Sequence, residues 1–399
     1  MNIRKIIIYG IGALLVVFTL FSIKWYLFDG RLIVNAPAGA QISLSQASGS
    51  DFKLIGKSNA SPRLTPGQYI IRIQKGDSET RTSAMVIKRQ TITLSLDFQP
   101  VKPARVAVAD VSANKINVNP DGSIIFLASS FHQLFISSPH SQNKTPYLSD
   151  IYPVAQVDWL DSGMVISTGT GFSSYIDSSG SRHDMGINLS IQGSGYDVSS
   201  GGQIAYLSPQ GKLMFMSSPA AAPVSLPAVI ANGGYTVKLS SDGRYVFLYS
   251  SINEVDSSKK TVLNNYIINT SSPSRPLSFT SAQEIDGASW SPDDKVMAYA
   301  AGAGLSLVDV GTGKQKTVYT SPHPLPVWLL GFIDGSHLLY AQDSAIWKLD
   351  TASLASYKLS PYQGSLTASS FYRYPGDGIF YSTQTDEKGL GGNIYQINL

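Results

Sequence analysis

The side chains best suited to chemistry stand apart from one another in this chain. Its five histidines, His132, His140, His183, His323 and His337, fall in different stretches, and no two have the i, i+4 or other short spacing that sets two imidazoles on one metal. Each reads as a surface or hairpin histidine. No G-x-S-x-G elbow is present, and no α/β segment exists to carry a serine nucleophile. The glycine clusters at 169–171 and 389–392 are not followed by a helical pattern, so they read as hairpin loops and not as phosphate cradles. Asp293 and Asp294 are adjacent, but calcium takes six or more oxygens, and the pair reads as a solvated turn. The expectation is no catalytic residue, no metal site and no cofactor.

Charge narrows the partners further. With 30 Lys and Arg against 27 Asp and Glu in 399 residues, the net charge is +3, and the cations are scattered. Neither a basic stripe nor an aromatic pattern for nucleic acid results. There is no cysteine, so the fold needs no disulfide and the redox compartment is unconstrained. The four N-x-S/T triplets, at Asn59, Asn143, Asn188 and Asn269, are what chance gives in this composition.

The elements that would position any site come from a repeat. Seven turns, NPDGS (119–123), LDSGM (160–164), SSGGQ (200–204), SSDGR (240–244), SPDDK (291–295), FIDGS (332–336) and YPGDG (374–378), recur down the chain. Marked by Gly122, Gly163, Gly202, Gly243, Lys295, Gly335 and Gly378, they step by 41, 39, 41, 52, 40 and 43 residues. After each turn comes a short apolar strand, from IIFLA (124–128) to IFYST (379–383). Third strands such as QLFIS (133–137) and fourth strands such as KTVYT (316–320) complete units of four, the signature of β-propeller blades. The last repeat lacks its fourth strand, and RVAVA (105–109) has no place in the first. The two ends are therefore expected to pair, 105–109 with 393–397, and close a seven-bladed ring over 105–399.

In such a ring, the loops between blades and those between second and third strands gather on one end of the central channel. His132, Tyr152, Phe172, His323, Trp328 and Tyr362 are the candidate binding residues there, with the insertion INEVDSSKKTV (252–262) that lengthens the 52-residue step. Long loops on a rigid scaffold tend to bind. Single aromatics such as Trp328 or Tyr152 equally suit packing between blades, and only an exposed cluster favours function.

One repeat carries a family likeness. Residues 288–314, ASWSPDDKVMAYAAGAGLSLVDVGTGK, resemble the TolB-type WD40-like (PD40) repeat in their W-S-P-D turn, apolar strand and V-D-x-x-T-G-K hairpin. WKLDTAS (347–353) resembles the end of a WD-type blade, and the second and third repeats keep only the glycine turn. This likeness implies a shape and no activity.

Two further modules precede the repeats. Ile6–Ile23 is an uncharged run of 18 residues, about 27 Å as a helix, bounded by Arg4 and Lys5 before and Lys24, Trp25 and Tyr26 after. It reads as an uncleaved membrane anchor, since a signal peptide would be shorter and end at a small-x-small site. Residues 1–29 then form a cytoplasmic tail and anchor, and the rest of the chain lies outside the cytoplasm of a single-pass protein of the cell membrane. From Gly30 to Phe98, period-two alternation in GRLIVNAP, QISLSQ, RLTPGQYIIRIQKG and TITLSLDF predicts a small β-sandwich. This module resembles a PEGA domain in its G-x-L-x-V strand, its P-x-G-A turn at 37–40 and its Pro66, Gly67 and Tyr69. It departs from one in a long polar loop, Ala47 to Asn59. The resemblance implies an extracytoplasmic spacer or binding module without chemistry, joined to the repeats by a stiff linker at 99–104.

The fold class expected is thus all-β, a seven-bladed propeller preceded by a PEGA-like sandwich and one transmembrane helix. The function expected is non-catalytic binding of an envelope or surface protein, or of a glycan. A structural subunit of an envelope or secretion assembly, and a propeller hydrolase or lyase with a central-channel site, remain open.

Overall fold

The computed structural model describes residues 15–17, 19, 29–46, 51–101, 104–108, 113–119, 123–128, 132–138, 143–148, 150, 151, 153–169, 172–187, 189, 195–228, 234–250, 263–321, 326–343, 345–361, 371–374, 378–382 and 393–398. Nearly all of them are strand or turn. Residues 15–17 and 19 are helical, but most of the predicted anchor lies outside the described residues. Among the described residues no helix is long and apolar enough to cross a membrane.

The chain divides into two compact units, residues 1–100 with 352–358, and 101–351 with 359–399. The repeat pattern assigns 352–358 to the sixth repeat; its contacts lie with the N-terminal unit.

In the first unit, Gly30–Asn35 alternates as its sequence demands, with Leu32 and Val34 buried and Arg31 and Asn35 exposed. The chain turns at 37–40, where Gly39 takes φ +82°, and Gln41–Gln46 then pairs antiparallel with Gly67–Lys75. Leu32, Val34, Ile42, Leu44, Tyr69, Ile71, Ile73, Ala84 and Val86 fill one core. The polar stretch read as a loop contains the strand Lys53–Lys57, which pairs with Gln41–Gln46 across a bulge. Its apolar residues gave no alternation to read, because Leu54 stays exposed. Ser78–Val86 is a second strand that hydrophobic pattern does not reveal. Its Thr80 and the ion-paired Glu79 and Arg81 are buried, and Ala355–Tyr357 pairs along it, so backbone bonding holds its polar first half, while Ala84 and Val86 turn into the core.

The second unit holds the repeats. The first five each form a four-stranded antiparallel sheet, beginning at Ala113–Val118, Val154–Leu160, Tyr196–Val198, Tyr235–Leu239 and Ile285–Trp290. The sixth contributes Trp328–Phe332, His337–Gln342 and Ala345–Asp350 in the same order. In the last, Phe371–Tyr374, Gly378–Ser382 and Asn393–Asn398 are joined by Ala104–Val108, with Asn393 opposite Val108 and Gln396 opposite Ala104. The chain's early strand thus completes its final sheet.

Second strands explain the packing. Ile124–Ala128 and Ile204–Leu207 are buried along their whole length, because alternate residues face opposite neighbours. Val165 packs with Tyr196, Ile204 and Tyr206 of the third repeat, while Met164 and Ile166 pack with Ile125 and Leu127 of the first. Phe247 likewise meets Trp290 and Met297 of the fifth repeat, and Val246 and Leu248 meet Ala205 and Leu207 of the third. Each fully buried side chain of this kind contributes about 1.5–3 kcal/mol.

The recurrent turn has a second role. In the third to fifth repeats it opens with a buried serine, Ser199, Ser240 or Ser291, whose hydroxyl accepts from a backbone N–H after the turn. The left-handed position is Gly202, Gly243 and, in the fifth repeat, Asp294 at φ +55°. Asp294, not Lys295, is therefore the equivalent of the glycines, and the corrected steps around it are 51 and 41. Asp294 is also not solvated: at 3% exposure, its carboxylate accepts from Ser241 N (3.1 Å), Ser241 Oγ (2.9 Å) and Asp242 N (3.1 Å) in the preceding turn. Asp161 N to Ser200 O (2.9 Å) links two earlier turns in the same way. The turns thus tie sheet to sheet.

Candidate functional site

First strands of successive repeats pack side by side, the third against the fourth, the fifth against the sixth, and the first against the seventh. Their inner side chains therefore share one axis. Lys115, in a left-handed kink at a bulge, donates to Asp158 Oδ1 (3.0 Å), whose other oxygen accepts from Gln156 Nε2 (2.9 Å). Asp197 Oδ1 accepts from Lys238 Nζ (3.1 Å) and its Oδ2 from Leu239 N (2.7 Å). Between the two carboxylates, Tyr196 reaches Ser167 Oγ at 3.3 Å.

The electrostatics follow from this crowding. Burial, then the Asp158 charge, pushes the Tyr196 hydroxyl well above its ordinary value. Burial, then Asp197, raises Tyr249 to about 12. The Asp197 carboxylate, against the opposing effect of burial, raises Lys238. A raised group of either type binds more protons folded than unfolded, so its stabilisation is complete below its unfolded pKa and is lost as pH rises through the folded one. Stability should therefore fall above about pH 10. For Tyr249, two units amount to about 2–3 kcal/mol by pH 12, and Tyr249→Phe should flatten the alkaline limb of a denaturation series. An unchanged limb would show that Tyr249 is not held this way.

Both oxygens of Asp158 and of Asp197 are occupied by donors, which suits a fixed polar lining better than a general base. These residues escaped the sequence reading, yet a signal existed. Five residues before each turn position stand Asn117, Asp158, Asp197, Lys238, Ser289, Leu330 and Arg373. Aligning the repeats on their turns, with Asp294 as the fifth marker, brings this polar column together.

The loop residues singled out by sequence fare unevenly. His132 sits at φ +50° in the turn between second and third strands of the first repeat, and its carbonyl accepts from Val154 N (2.7 Å) at the start of the second. Gly169 N, in the hairpin that ends at Phe172, donates to Pro153 O (3.1 Å). The same connection is thus held from both sides, by the His132 turn and the Phe172 hairpin, with Phe172 60% exposed. Val327 N donates to Gly302 O (3.0 Å) in the same manner, beside Trp328, which is 40% exposed. His132 and Phe172 occupy the same hairpin in two repeats, between second and third strands, whereas Trp328 opens the first strand of the sixth repeat at the corresponding end of its sheet. Tyr152, His323, Tyr362 and the insertion 252–262 lie outside the described residues.

Of the remaining chemical candidates, His140 lies outside the described residues and the others fall at turns and hairpins. His183 bonds Asp177 (3.0 Å) and stacks on Tyr175, and His337 bonds Asp334 (2.8 Å). Thr168 and Phe172 close the glycine hairpin by backbone N–H to carbonyl (2.8 Å); Gly389–Gly392 lies outside the described residues. Among the described residues no three His, Asp or Glu side chains are placed to hold a metal.

No protein-family model matches the chain, and no curated protein matches it. Solved structures do. Virginiamycin B lyase from Staphylococcus aureus superposes with a TM-score of 0.51 at 12% identity, over 75% of this chain and 99% of that one. YCF48 bound to D1 peptide gives 0.52 at 12% identity, over 76% and 96%. The chain carries a β-propeller. Its shared axis of first strands is the central channel of that fold, so the Asp158 to Lys238 column lines the channel, while the hairpins of His132 and Phe172 and the strand start at Trp328 stand at the same end of their sheets. Identity this low carries the fold and nothing about activity.

Proposed function

We propose that the chain is a non-catalytic, single-pass envelope protein whose extracytoplasmic propeller, of seven blades, binds a protein or a glycan, with the PEGA-like module of residues 30–98 as spacer and residues 6–23 as anchor. The observation that carries this reading is the pairing of exposed aromatics with pinned connections: Phe172 stands on a hairpin bonded to the connection that enters its own repeat, and Trp328 opens a strand whose preceding residue is bonded to the repeat before it. Rigid aromatics offer large contact area at small entropic cost. The peptide in the YCF48 structure is a precedent for this shape taking a polypeptide.

A second reading, a channel hydrolase or lyase, draws on one observation, the convergence of Asp158, Tyr196, Asp197 and Lys238. It is the weaker, because each carboxylate is held in place by two donors, one on each oxygen.

The test is a pull-down from detergent-solubilised membranes with the intact chain, Phe172→Ser/Trp328→Ser, and a form lacking 252–262. Specific partners should fall at least tenfold in recovery with either altered form. Equal recovery of the same partners from all three would remove this face from the account.

A further inference from the structure

The first unit holds a cleft of about 400 Å³ lined by Asp29, Gly30, Arg31, Arg63, Arg89, Gln90 and Thr91. Three arginines and one carboxylate line it. Strand register forces two of them together: Arg31 lies directly opposite Arg63 on one side and level with Thr91 on the other. Like charges directly opposite each other across a ladder are destabilising, and Arg31 Nε is steadied there by donating to Ser61 Oγ (2.8 Å). The third arrives by a backbone device. Arg89 takes φ +60°, and its N–H donates to Asp29 O (3.2 Å), while Arg31 N donates to Gln90 O (2.8 Å). Gly30 has no room for a side chain, since a Cβ would stand 2.4 Å from Ile87 O.

We propose that this cleft is an oxyanion site that takes a phosphate group. Guanidinium forks match phosphate oxygens two by two, and an anion between Arg31 and Arg63 converts their repulsion into attraction. Thr91 and Gln90 supply uncharged donors at the rim. The phosphate has two possible sources, the headgroup of a phospholipid or free phosphate. Six residues lie between Ile23 and Gly30, and the seven steps they make span about 25 Å at most when extended, so the lipid source rests on the anchored reading above; the oxyanion site itself does not.

The full chain in a neutral detergent is titrated calorimetrically with inorganic phosphate and, separately, with dihexanoylphosphatidylglycerol below its micelle concentration. Arg31→Gln/Arg89→Gln should weaken both at least tenfold with an unchanged melting temperature, while the exposed pair Lys53→Gln/Lys57→Gln stays within twofold. The single variant Arg89→Gln, in an exposed loop, serves if the double variant does not fold. Lipid binding tenfold tighter than phosphate assigns the headgroup; equal or weaker lipid binding assigns free phosphate. Absence of binding by the wild type, retained binding in the arginine variants, or an equal loss in the lysine pair overturns the site. Carbonate extraction reads the anchor separately, so a chain released from membranes that still loses phosphate with its arginines refutes the anchor alone.

Discussion

Ile397→Asp is expected to lower the stability of the propeller by about 5 kcal/mol, the loss of a buried aliphatic side chain together with an uncompensated buried charge. Ile397 is fully buried among Leu339, Ala341, Ile346 and Leu359 of the sixth repeat. It lies in the strand Asn393–Asn398, between Gly378–Ser382 and the early strand Ala104–Val108. A carboxylate there strikes the sheet that joins the two ends of the repeat region. Val224→Asp is the control, since Val224 is 54% exposed on a short outer strand, and surface changes of that kind stay within about 0.5 kcal/mol. Denaturant midpoints for both variants check the prediction. Equal midpoints would mean that the last sheet contributes little to the ring.

Asp294→Ala should cost about 2–3 kcal/mol, and Asp294→Gly about 1 kcal/mol less than that. The carboxylate makes charge-assisted bonds to Ser241 and Asp242, and such bonds contribute about 1.5–3 kcal/mol. Both variants lose them. Only glycine relieves the left-handed backbone at φ +55°, which alanine keeps. Combining Asp294→Ala with Ser241→Ala should cost less than the sum of the two, because they break one contact. Strict additivity would show that the turns fold independently of one another, and alanine proving as stable as glycine would show that the left-handed backbone at 294 costs nothing.

The repeat was legible because its signals are local. A serine, an aspartate and a left-handed glycine make the same turn several times over, and the apolar run after each must be buried on both faces. What the pattern hid depended on partners distant in sequence. Ser78–Val86 is polar yet buried, since Glu79 and Arg81 satisfy each other and neighbouring strands supply its backbone bonds. Asp294 read as solvated because its partners are the Ser241 and Asp242 of another repeat. The channel column escaped for a similar reason: Lys115 and Asp158, or Asp197 and Lys238, are about forty residues apart and meet only when blades stand side by side. Strand order alone says at which end of a sheet His132, Phe172 and Trp328 stand, because antiparallel connections alternate between the two ends; it says nothing of whether they bind.

Photocrosslinking from the two ends of one strand tests the binding face most directly. Phe172 and Ser179 flank Ser173–Asp177, about 17 Å of strand, and both are exposed. With benzoylphenylalanine at 172, a discrete adduct in intact membranes is the expected result, and at 179 none. Adducts from 179 alone, or equally from both positions, would contradict recognition by this face of the propeller.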